Sequence, residues 1–301
     1  MKKKTNNNPE RGSASNRSSA NYTLAKDRIK VMGIININNE SFYGKSRRIT
    51  VEDVEKAYLQ MIEDGADIID IGACSTRPGS TPVTLEQEWE YLQEPLERLA
   101  QVKSEMFCNG QEVPEISIDT FRSEIVRRAC DILGPIIVND ISAGEDDPEM
   151  LSTVGDLGLS YIAMHKRGTP DTMQTLTDYP DGGVAEVIRY FEAFAEKADK
   201  FGIEDWVLDP GFGFAKTLEQ NYELLEGLDE LQSLERPILV GVSRKSMIYK
   251  LLGITPEESL PATCVLNYVA LQKGAAILRV HDVKEAVQTV RLFEKSLNLR
   301  G

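Results

Sequence analysis

The sequence predicts a single α/β domain, a (β/α)8 TIM barrel, preceded by a disordered N-terminal tail. Eight short runs rich in β-branched residues alternate with stretches of helical periodicity, from residue 29 to the end of the 301-residue chain. Each run is apolar almost to its last residue, as parallel strands buried on both faces should be. The predicted strands are 30–36, 67–73, 116–120, 135–141, 161–165, 206–211, 237–243 and 276–281.

Helical periodicity predicts the elements that connect these strands. Pro95 lies inside the second helix and is expected to kink it, because proline has no backbone N–H to donate. An open, doubly wound sheet uses the same alternation, but the chain has neither a dinucleotide-binding fingerprint nor a P-loop. In Gly211-Phe212-Gly213 the third glycine is replaced by Lys216, so the barrel is favoured. The predicted helices are 51–64, 84–103, 122–132, 183–201, 219–231, 258–273 and 283–297.

Residues 1–28 are mostly Asn, Ser, Lys and Arg, with very few apolar side chains. Such a segment cannot bury enough surface to offset its ordering entropy, so we expect a disordered basic extension. The barrel domain then spans residues 29–301. A plain solubilising role for the extension is favoured over contact with nucleic acid.

Composition and charge exclude several classes of protein. No apolar run approaches the ~20 residues that cross a bilayer, and the lysine-rich start lacks the apolar segment of a secretory signal. The formal net charge of −14 argues against nucleic acid or an anionic membrane as a partner. The 4 cysteines form no C-x-x-C pair and there are only 2 histidines, so we expect reduced thiols in a cytoplasmic protein and no structural zinc site.

Polar residues gather where the predicted strands end. In a barrel these carboxyl ends meet at one rim, which is where enzymes of this architecture place their chemistry. The alternative for any one of them is a capping role at a strand end or helix start. The residues are Asn36, Asp119, Asn139, Asp140, His165, Asp209, Arg279 and His281.

The chemistry of these rim residues divides into two groups. Arg77, Lys245, Arg279 and His281 are donors that suit an anion, and Ser75-Thr76 adds hydroxyl groups. Asp119 and Asp209 supply hydrogen-bond acceptors and Asn139 supplies an amide, and these groups suit the edge of a nitrogen heterocycle. Gly211 and Gly213 should let a ligand approach the backbone closely, and Phe212 and Phe214 should offer it a flat apolar surface. We therefore predict a flat, polar-edged ring substrate that carries a phosphate or pyrophosphate.

Seven segments resemble dihydropteroate synthases in the family's order, and the resemblance covers the chain from Ile29 to the last helix. It implies an enzyme that condenses 6-hydroxymethyl-7,8-dihydropterin pyrophosphate with p-aminobenzoate, with Mg²⁺ required, in folate biosynthesis. It further implies a homodimer and a target of sulfonamides. The segments are Ser75-Thr76-Arg77-Pro78-Gly79, Ser117-Ile118-Asp119-Thr120, Val138-Asn139-Asp140-Ile141, Met164-His165, Asp209-Pro210-Gly211-Phe212-Gly213-Phe214, Ser243-Arg244-Lys245-Ser246 and Arg279-Val280-His281.

The resemblance also implies residue roles. The pterin would be bound by Asp119, Asn139, Met164, Asp209, Phe214 and Lys245. Pyrophosphate would be bound by Asn36, Thr76, Arg77, Arg279 and His281, with Asn36 also holding Mg²⁺. The p-aminobenzoate would lie near Phe42, Arg77, Pro78, Phe214, Lys245 and Ser246, the last at the start of the seventh helix. Loss of pyrophosphate would leave a methylene cation stabilised by Asp119 and Asp209, a dissociative displacement in which Lys245, Arg279 and His281 also take part.

Three features depart from the family's pattern. The first loop, 38–48, lacks the usual proline and adds cations, Cys74 stands where Glu is common, and Lys166-Arg167 follow His165. The extra cations either help to bind pyrophosphate or lie in a solvated loop. The alternatives left open are a pterin-dependent methyltransferase barrel, a non-catalytic pterin-binding homologue and a sulfonamide-insensitive synthase.

Overall fold

The computed structural model describes residues 28–37, 49–74, 83–169 and 172–297. Eight parallel strands form one sheet, one at each predicted run, although the seventh has only 2 residues where the sequence predicts 237–243. They are β1 (Lys30–Asn36), β2 (Ile68–Gly72), β3 (Glu115–Asp119), β4 (Ile137–Asp140), β5 (Ser160–Met164), β6 (Trp206–Asp209), β7 (Leu239–Val240) and β8 (Ile277–Val280).

The sheet closes into a barrel. The strand order is β6-β5-β4-β3-β2-β1-β8-β7, so each strand lies beside its sequence neighbours and β1 pairs with β8. A parallel bridge between Leu208 and Ile238 joins the two ends, and the Leu208 N–H donates to the Pro237 carbonyl at 3.1 Å. An open, doubly wound sheet is therefore excluded and the (β/α)8 class is confirmed.

The helices lie between successive strands and after the last one. Predicted helix 219–231 is divided into an α-helix and a 3-10 segment at 228–234, while the second helix continues unbroken through Pro95. Two short helices, 150–157 and 246–252, have no counterpart among the predicted ranges, because 8 and 7 residues barely show two turns of periodicity. The helices are α1 (Val51–Asp64), α2 (Leu85–Cys108), α3 (Ser123–Leu133), α4 (Met150–Leu157), α5 (Gly183–Lys200), α6 (Leu218–Glu226), α7 (Ser246–Leu252), α8 (Leu260–Gln272) and α9 (Val283–Leu297).

Three of these helices begin with the same capping motif. Thr50, Thr84 and Thr217 each accept a hydrogen bond from the backbone N–H three residues on, and the side chain there accepts from the threonine N–H in return. This capping box satisfies two backbone donors that would otherwise lack partners at a helix start. It fixes where α1, α2 and α6 begin.

Two apolar cores result from the alternation of side chains along the strands. The larger one lies between the barrel and the helices and includes Phe191, Phe194 and Trp206. The smaller one, called here the interior cluster, fills the inside of the barrel. It consists of Met32, Ile68, Ile137, Ile162, Val207, Leu239 and Ile277. The barrel is therefore a packed core with a floor, and any ligand must bind above it.

Three further expectations concern the chain as a whole. Of the predicted disordered tail only Arg28 is described, and its guanidinium contacts Asp67 at 2.7 Å; residues 1–27 lie outside the described part of the chain. All four cysteines are free thiols, as expected. Within the described ranges every helix is too short or too polar to span a membrane.

Candidate active site

The polar rim residues lie directly above the interior cluster. Because side chains alternate along a strand, a residue two positions beyond a member of that cluster also points into the barrel. Asp119 joins this layer because it is level with Asn139 on the neighbouring strand. The residues two positions on are Ile34, Asp70, Asn139, Met164, Asp209, Gly241 and Arg279. The sequence-predicted Asp119, Asn139, Met164, Asp209 and Arg279 are thereby brought together.

One cation joins two carboxylates in this layer. Arg279 donates from Nε to Asp70 Oδ2 at 2.7 Å and from Nη2 to Asp119 Oδ2 at 2.6 Å. Its Nη2 also lies 2.5 Å from Asp70 Oδ2 in an ion-pair contact, and the same oxygen accepts a second hydrogen bond from Asn139 Nδ2 at 3.1 Å. The resemblance assigns Asp119 to the pterin and Arg279 to the pyrophosphate, and the structure pairs these two side chains directly.

Sequence reasoning missed Asp70. It lies in the middle of β2, in the apolar run Ile-Ile-Asp-Ile-Gly, and is fully buried. A polar residue in the middle of a strand does not belong to the strand-end pattern that marks the other site residues. The available signal was a carboxylate two positions after Ile68, the inward-facing spacing that also connects Val207 with Asp209.

Burial and mutual repulsion shift the protonation of this cluster. Burial raises the pKa of Asp119 to about 7; Arg279 opposes this shift, and the negative charges of Asp70 and Glu88 add to it. Burial also disfavours the charged form of Arg279, but Asp70 and Asp119 outweigh it and hold its pKa above the usual value. The guanidinium therefore stays charged, while Asp119 changes protonation near neutral pH.

A second group of residues faces this cluster across the mouth. Lys245 donates from Nζ to the Phe212 carbonyl at 2.5 Å and lies 5.2 Å from the centre of the Phe214 ring. Burial lowers the pKa of Lys245 to about 8, although the negative charge of Asp209 opposes that shift. Burial likewise raises the pKa of Asp209, and Lys245 opposes it. Asp209 is further tied to the turn by the Gly211 N–H, which donates to Oδ1 at 2.8 Å.

The turn after β6 is held by a close approach to β5. Gly211 has φ of +70°, and a Cβ there would lie 2.0 Å from the His165 carbonyl oxygen. Buried Lys216 donates from Nζ to the Gly211 carbonyl at 3.0 Å and to the Phe214 carbonyl at 3.1 Å. The expectation that both phenylalanines offer surface to a ligand is wrong for Phe212, which is fully buried in the outer core, while Phe214 is partly accessible.

His165 does not belong to the mouth. The preceding residue, Met164, points inward, so His165 points outward, where its ring meets that of Tyr190 edge-on at 4.9 Å. Its Nδ1 lies 3.0 Å from Lys216 Nζ. Burial, with the neighbouring charges of Lys216 and Arg167, lowers the pKa of His165 to about 2, so the imidazole is neutral and accepts from the lysine.

The residues that follow β7 and β8 form the outer wall of the barrel mouth. His281 Nδ1 lies 3.1 Å from the Ser243 hydroxyl, which also accepts from the His281 N–H at 3.3 Å. Arg244, at φ +56°, is paired with Asp282 through Nη2 at 2.6 Å, so its charge is engaged away from the mouth. Ser246 is the first residue of α7 and is partly exposed.

Asn36 is the last residue of β1 and is partly buried, beside Gly72 of β2. No group of three or more His, Cys, Asp or Glu side chains that could hold a metal ion occurs among the described residues. Mg²⁺ in proteins is usually bound through one or two carboxylates, several waters and substrate phosphates. The Asn36 amide oxygen is a hard but neutral ligand, so it would fit this ion only where a ligand supplies the remaining charge.

Two of the departures from the family's pattern have structural explanations. Lys166 and Arg167 are both in ion pairs, with Asp146 and Glu186, each at 2.5 Å, so they do not form an anion site. Cys74 Sγ lies 3.3 Å from Arg122 Nη1, and the same guanidinium pairs with buried Glu88. Burial, with the Glu88 charge, raises the pKa of Cys74 to about 12, which makes it an unreactive thiol.

Four predicted site residues lie outside the described part of the chain. They are Phe42 in the first loop and Thr76, Arg77 and Pro78 in the second. The described residue next to the second loop, Val83, accepts a hydrogen bond from Arg122 Nη2 at 2.5 Å. The roles of those four residues stay predictions.

Comparison with known proteins agrees with this geometry. The family model of pterin binding enzymes matches residues 32–281. The dihydropteroate synthase of Escherichia coli K12 is 39% identical over 272 residues, covering 90% of this chain and 92% of that protein.

Two solved structures extend the likeness to the fold. A Yersinia pestis dihydropteroate synthase with a sulfonamide drug superimposes with a TM-score of 0.82 at 34% identity, covering 90% of this chain and 95% of that one. The Xanthomonas albilineans enzyme with 4-aminobenzoic acid gives a TM-score of 0.80 at 35% identity, covering 90% and 94%. The eight-stranded barrel, its polar floor and these likenesses lead to one conclusion: the chain belongs to the dihydropteroate synthase family of pterin-binding transferases.

Proposed function

We propose that the site condenses 6-hydroxymethyl-7,8-dihydropterin pyrophosphate with p-aminobenzoate to give 7,8-dihydropteroate and pyrophosphate. The observation that carries this proposal is the polar layer above the interior cluster. Its acceptors and amide, on Asp119, Asn139 and Asp209, lie beside the cations Arg279 and Lys245. A small nitrogen heterocycle with a diphosphate needs both groups within one mouth.

The ring would bind at the floor. Ring N–H and amino groups are donors, so ionised Asp119 and Asp209 suit them as acceptors, and the Asn139 amide can donate to a ring oxygen or nitrogen. Met164 comes from β5 on the same inward face and offers an apolar surface to the ring. Binding of this edge would replace the hydrogen bond between Asp119 and Arg279.

The diphosphate would bind on the Arg279 side. Within the described residues Nη1 of Arg279 has no hydrogen-bond partner, which leaves one edge of the guanidinium for an anion. His281 follows two residues later, directly after the end of β8. Their donors would stabilise the negative charge that grows on the diphosphate as its bond to the methylene carbon breaks.

The displacement would be dissociative. Breaking the C–O bond leaves a methylene cation conjugated with the electron-rich dihydropterin. Asp119 and Asp209 supply negative charge beside that cation, in a site where burial strengthens the attraction. The arylamine nitrogen then forms the new C–N bond and loses a proton to solvent, so a strong general base is not needed.

The p-aminobenzoate would lie between Phe214 and the stem of Lys245, with its carboxylate at the start of α7. Ser246 is the first residue of that helix, where free N–H groups and the helix dipole favour an anion. The Xanthomonas albilineans relative binds 4-aminobenzoic acid and the Yersinia pestis relative a sulfonamide drug. The same pocket would therefore admit sulfonamides here, unless the atypical first loop excludes them.

Magnesium would be held through the side-chain oxygen of Asn36 together with the substrate diphosphate. When bound it supplies positive charge that neutralises the departing pyrophosphate. The requirement is tested by chelation: activity lost with excess EDTA should return with Mg²⁺ and not with Na⁺.

We further infer that residues 29–301 form one barrel domain in a cytoplasmic homodimer that uses the later helices. Large apolar side chains are exposed on three successive helices, and such patches mark interaction sites. Val265 on α8 is 61% exposed and Leu292 on the adjacent α9 is 68% exposed, while Leu251 and Leu252 end α7.

The experiment that tests the proposal measures pyrophosphate release by the purified protein with Mg²⁺, the pterin pyrophosphate and p-aminobenzoate. Release that depends on p-aminobenzoate is expected, and a repeat with sulfamethoxazole reports the drug response. Arg279→Ala should lower kcat/KM at least a hundredfold, about 2.7 kcal/mol, whereas Arg291→Ala on the exposed face of α9 should not change it. A non-catalytic homologue would bind the pterin without releasing pyrophosphate.

A further inference from the structure

We propose that Asp70 is a positioning residue: it holds the Arg279 guanidinium in place so that Asp119 can leave it and bind the pterin ring. This inference rests on the proposed function, because it assumes that Asp119 changes partner when the pterin binds. It assigns a task to the one buried carboxylate of the mouth that sequence reasoning did not find.

The contacts of Arg279 are unequal. Asp70 Oδ2 accepts a hydrogen bond from Nε at 2.7 Å and lies 2.5 Å from Nη2 in an ion-pair contact, whereas Asp119 meets Nη2 alone, at 2.6 Å. Loss of the Asp119 contact therefore leaves the guanidinium hydrogen-bonded to Asp70 through Nε and in ion-pair contact with it through Nη2. Its orientation, with Nη1 directed away from both carboxylates, does not depend on Asp119.

The charges support the same arrangement. A buried guanidinium that loses its only counter-ion is strongly unfavourable, so a single Asp119–Arg279 pair would resist opening. With Asp70 in place, Arg279 keeps a counter-ion in both states. Asp119 is thus free to exchange the guanidinium for the donors of a ring.

The side chain of Asp70 has no other task among the described residues. Its Oδ2 meets only Arg279 and Asn139, and its Oδ1 is buried without a hydrogen-bond partner. By contrast, buried Asp140 on β4 is a structural carboxylate that accepts from the Tyr161 hydroxyl and from the loop that follows its strand. All of Asp70's polar contacts go to residues of the site.

The test is Asp70→Asn, with Asp67→Asn as a matched control at the opposite end of the same barrel. Asp67 accepts from the Val31 N–H at 2.8 Å and makes no contact with Arg279. We expect Asp70→Asn to lower kcat/KM at least tenfold and to raise KM for the pterin substrate, and the control to stay within twofold of the wild type. The acid limb of the pH profile should also move to lower pH, because the Asp70 charge contributes to the raised pKa of Asp119.

A double-mutant cycle separates positioning from a general structural role. In an Arg279→Met background, Asp70→Asn should cause less than a twofold further change, because there is no guanidinium to hold. An equal loss in both backgrounds, or an activity of the single variant within threefold of the wild type, would overturn the proposal. Pyrophosphate release by the wild-type protein tests the proposed function separately.

A measurement on the wild-type protein covers the case in which Asp70→Asn does not fold. With ¹⁵N-labelled arginine, the Nε–H resonance of Arg279 should stay in slow exchange with water both before and after 6-hydroxymethylpterin binds. Fast exchange in the bound state would mean that Asp70 does not hold the guanidinium, and the proposal would be wrong.

Discussion

Replacement of Asp119 by asparagine tests the electrostatic part of the mechanism. The substitution removes one negative charge and keeps nearly the same shape. Arg279 keeps its two contacts with Asp70, so the buried guanidinium is not left without a counter-ion. The fold should therefore survive, with a melting temperature within a few degrees of the wild type.

The size of the effect follows from Coulomb's law. A carboxylate about 5 Å from a unit positive charge, at an effective dielectric constant of about 20, contributes about 3 kcal/mol. If Asp119 supplies this to the methylene cation and not to the ground state, its loss lowers kcat/KM roughly 200-fold. The acid limb that comes from the raised pKa of Asp119 should disappear in the same variant.

The assay is steady-state pyrophosphate release between pH 5 and 9. Glu115→Gln is the control on the same strand, because Glu115 pairs with Lys30 at the other end of β3, with a shortest contact of 3.2 Å. The control should retain wild-type kcat/KM. A fall of less than about tenfold in Asp119→Asn, equivalent to about 1.4 kcal/mol, would refute the electrostatic role.

The remaining predictions concern pH dependence, backbone geometry and assembly. In the wild type, kcat/KM should rise as the pH increases through about 7, where Asp119 ionises, and fall above about 8, where Lys245 loses its proton. The variant Lys245→Arg should lose the alkaline fall in whatever activity it keeps, because arginine stays charged at that pH. Gly211→Ala should lower the free energy of unfolding, measured by denaturant titration, by at least about 2 kcal/mol. Gly158 also has a positive φ but has open space around it, so Gly158→Ala should lower the same free energy by only about 1 kcal/mol. If Gly211→Ala proved no worse than Gly158→Ala, the close approach to β5 would not matter. Val265→Asp should convert the proposed dimer to a monomer by sedimentation; a wild-type monomer would contradict the dimer, and an unchanged dimer in the variant would place the interface elsewhere.

The strands and most helices could be predicted from periodicity, because buried parallel strands leave a continuous apolar run and caps such as Thr50 and Thr84 mark helix starts. The site residues at strand ends could be predicted for a related reason. Inward-facing positions above a packed interior cluster are the place where Asp209 and Arg279 find space for polar atoms.

The sequence could not show which charged residues pair with one another in the fold. Asp70 is hidden in an apolar strand, and its pairing with Arg279 joins residues 209 positions apart. Lys166 resembles an anion-binding residue in sequence, yet Asp146 neutralises it in the fold. Phe212 and Phe214 share a motif but face opposite environments, since the turn after β6 buries Phe212 in the outer core and leaves Phe214 beside Lys245.

The most direct measurement of the central claim is a crystal structure of the protein with 6-hydroxymethyl-7,8-dihydropterin pyrophosphate. We expect the ring edge on Asp119, Asn139 and Asp209, and the diphosphate against Nη1 of Arg279, whose Nε still contacts Asp70. A ring bound outside the barrel mouth, or a diphosphate that does not touch Arg279, would contradict the account.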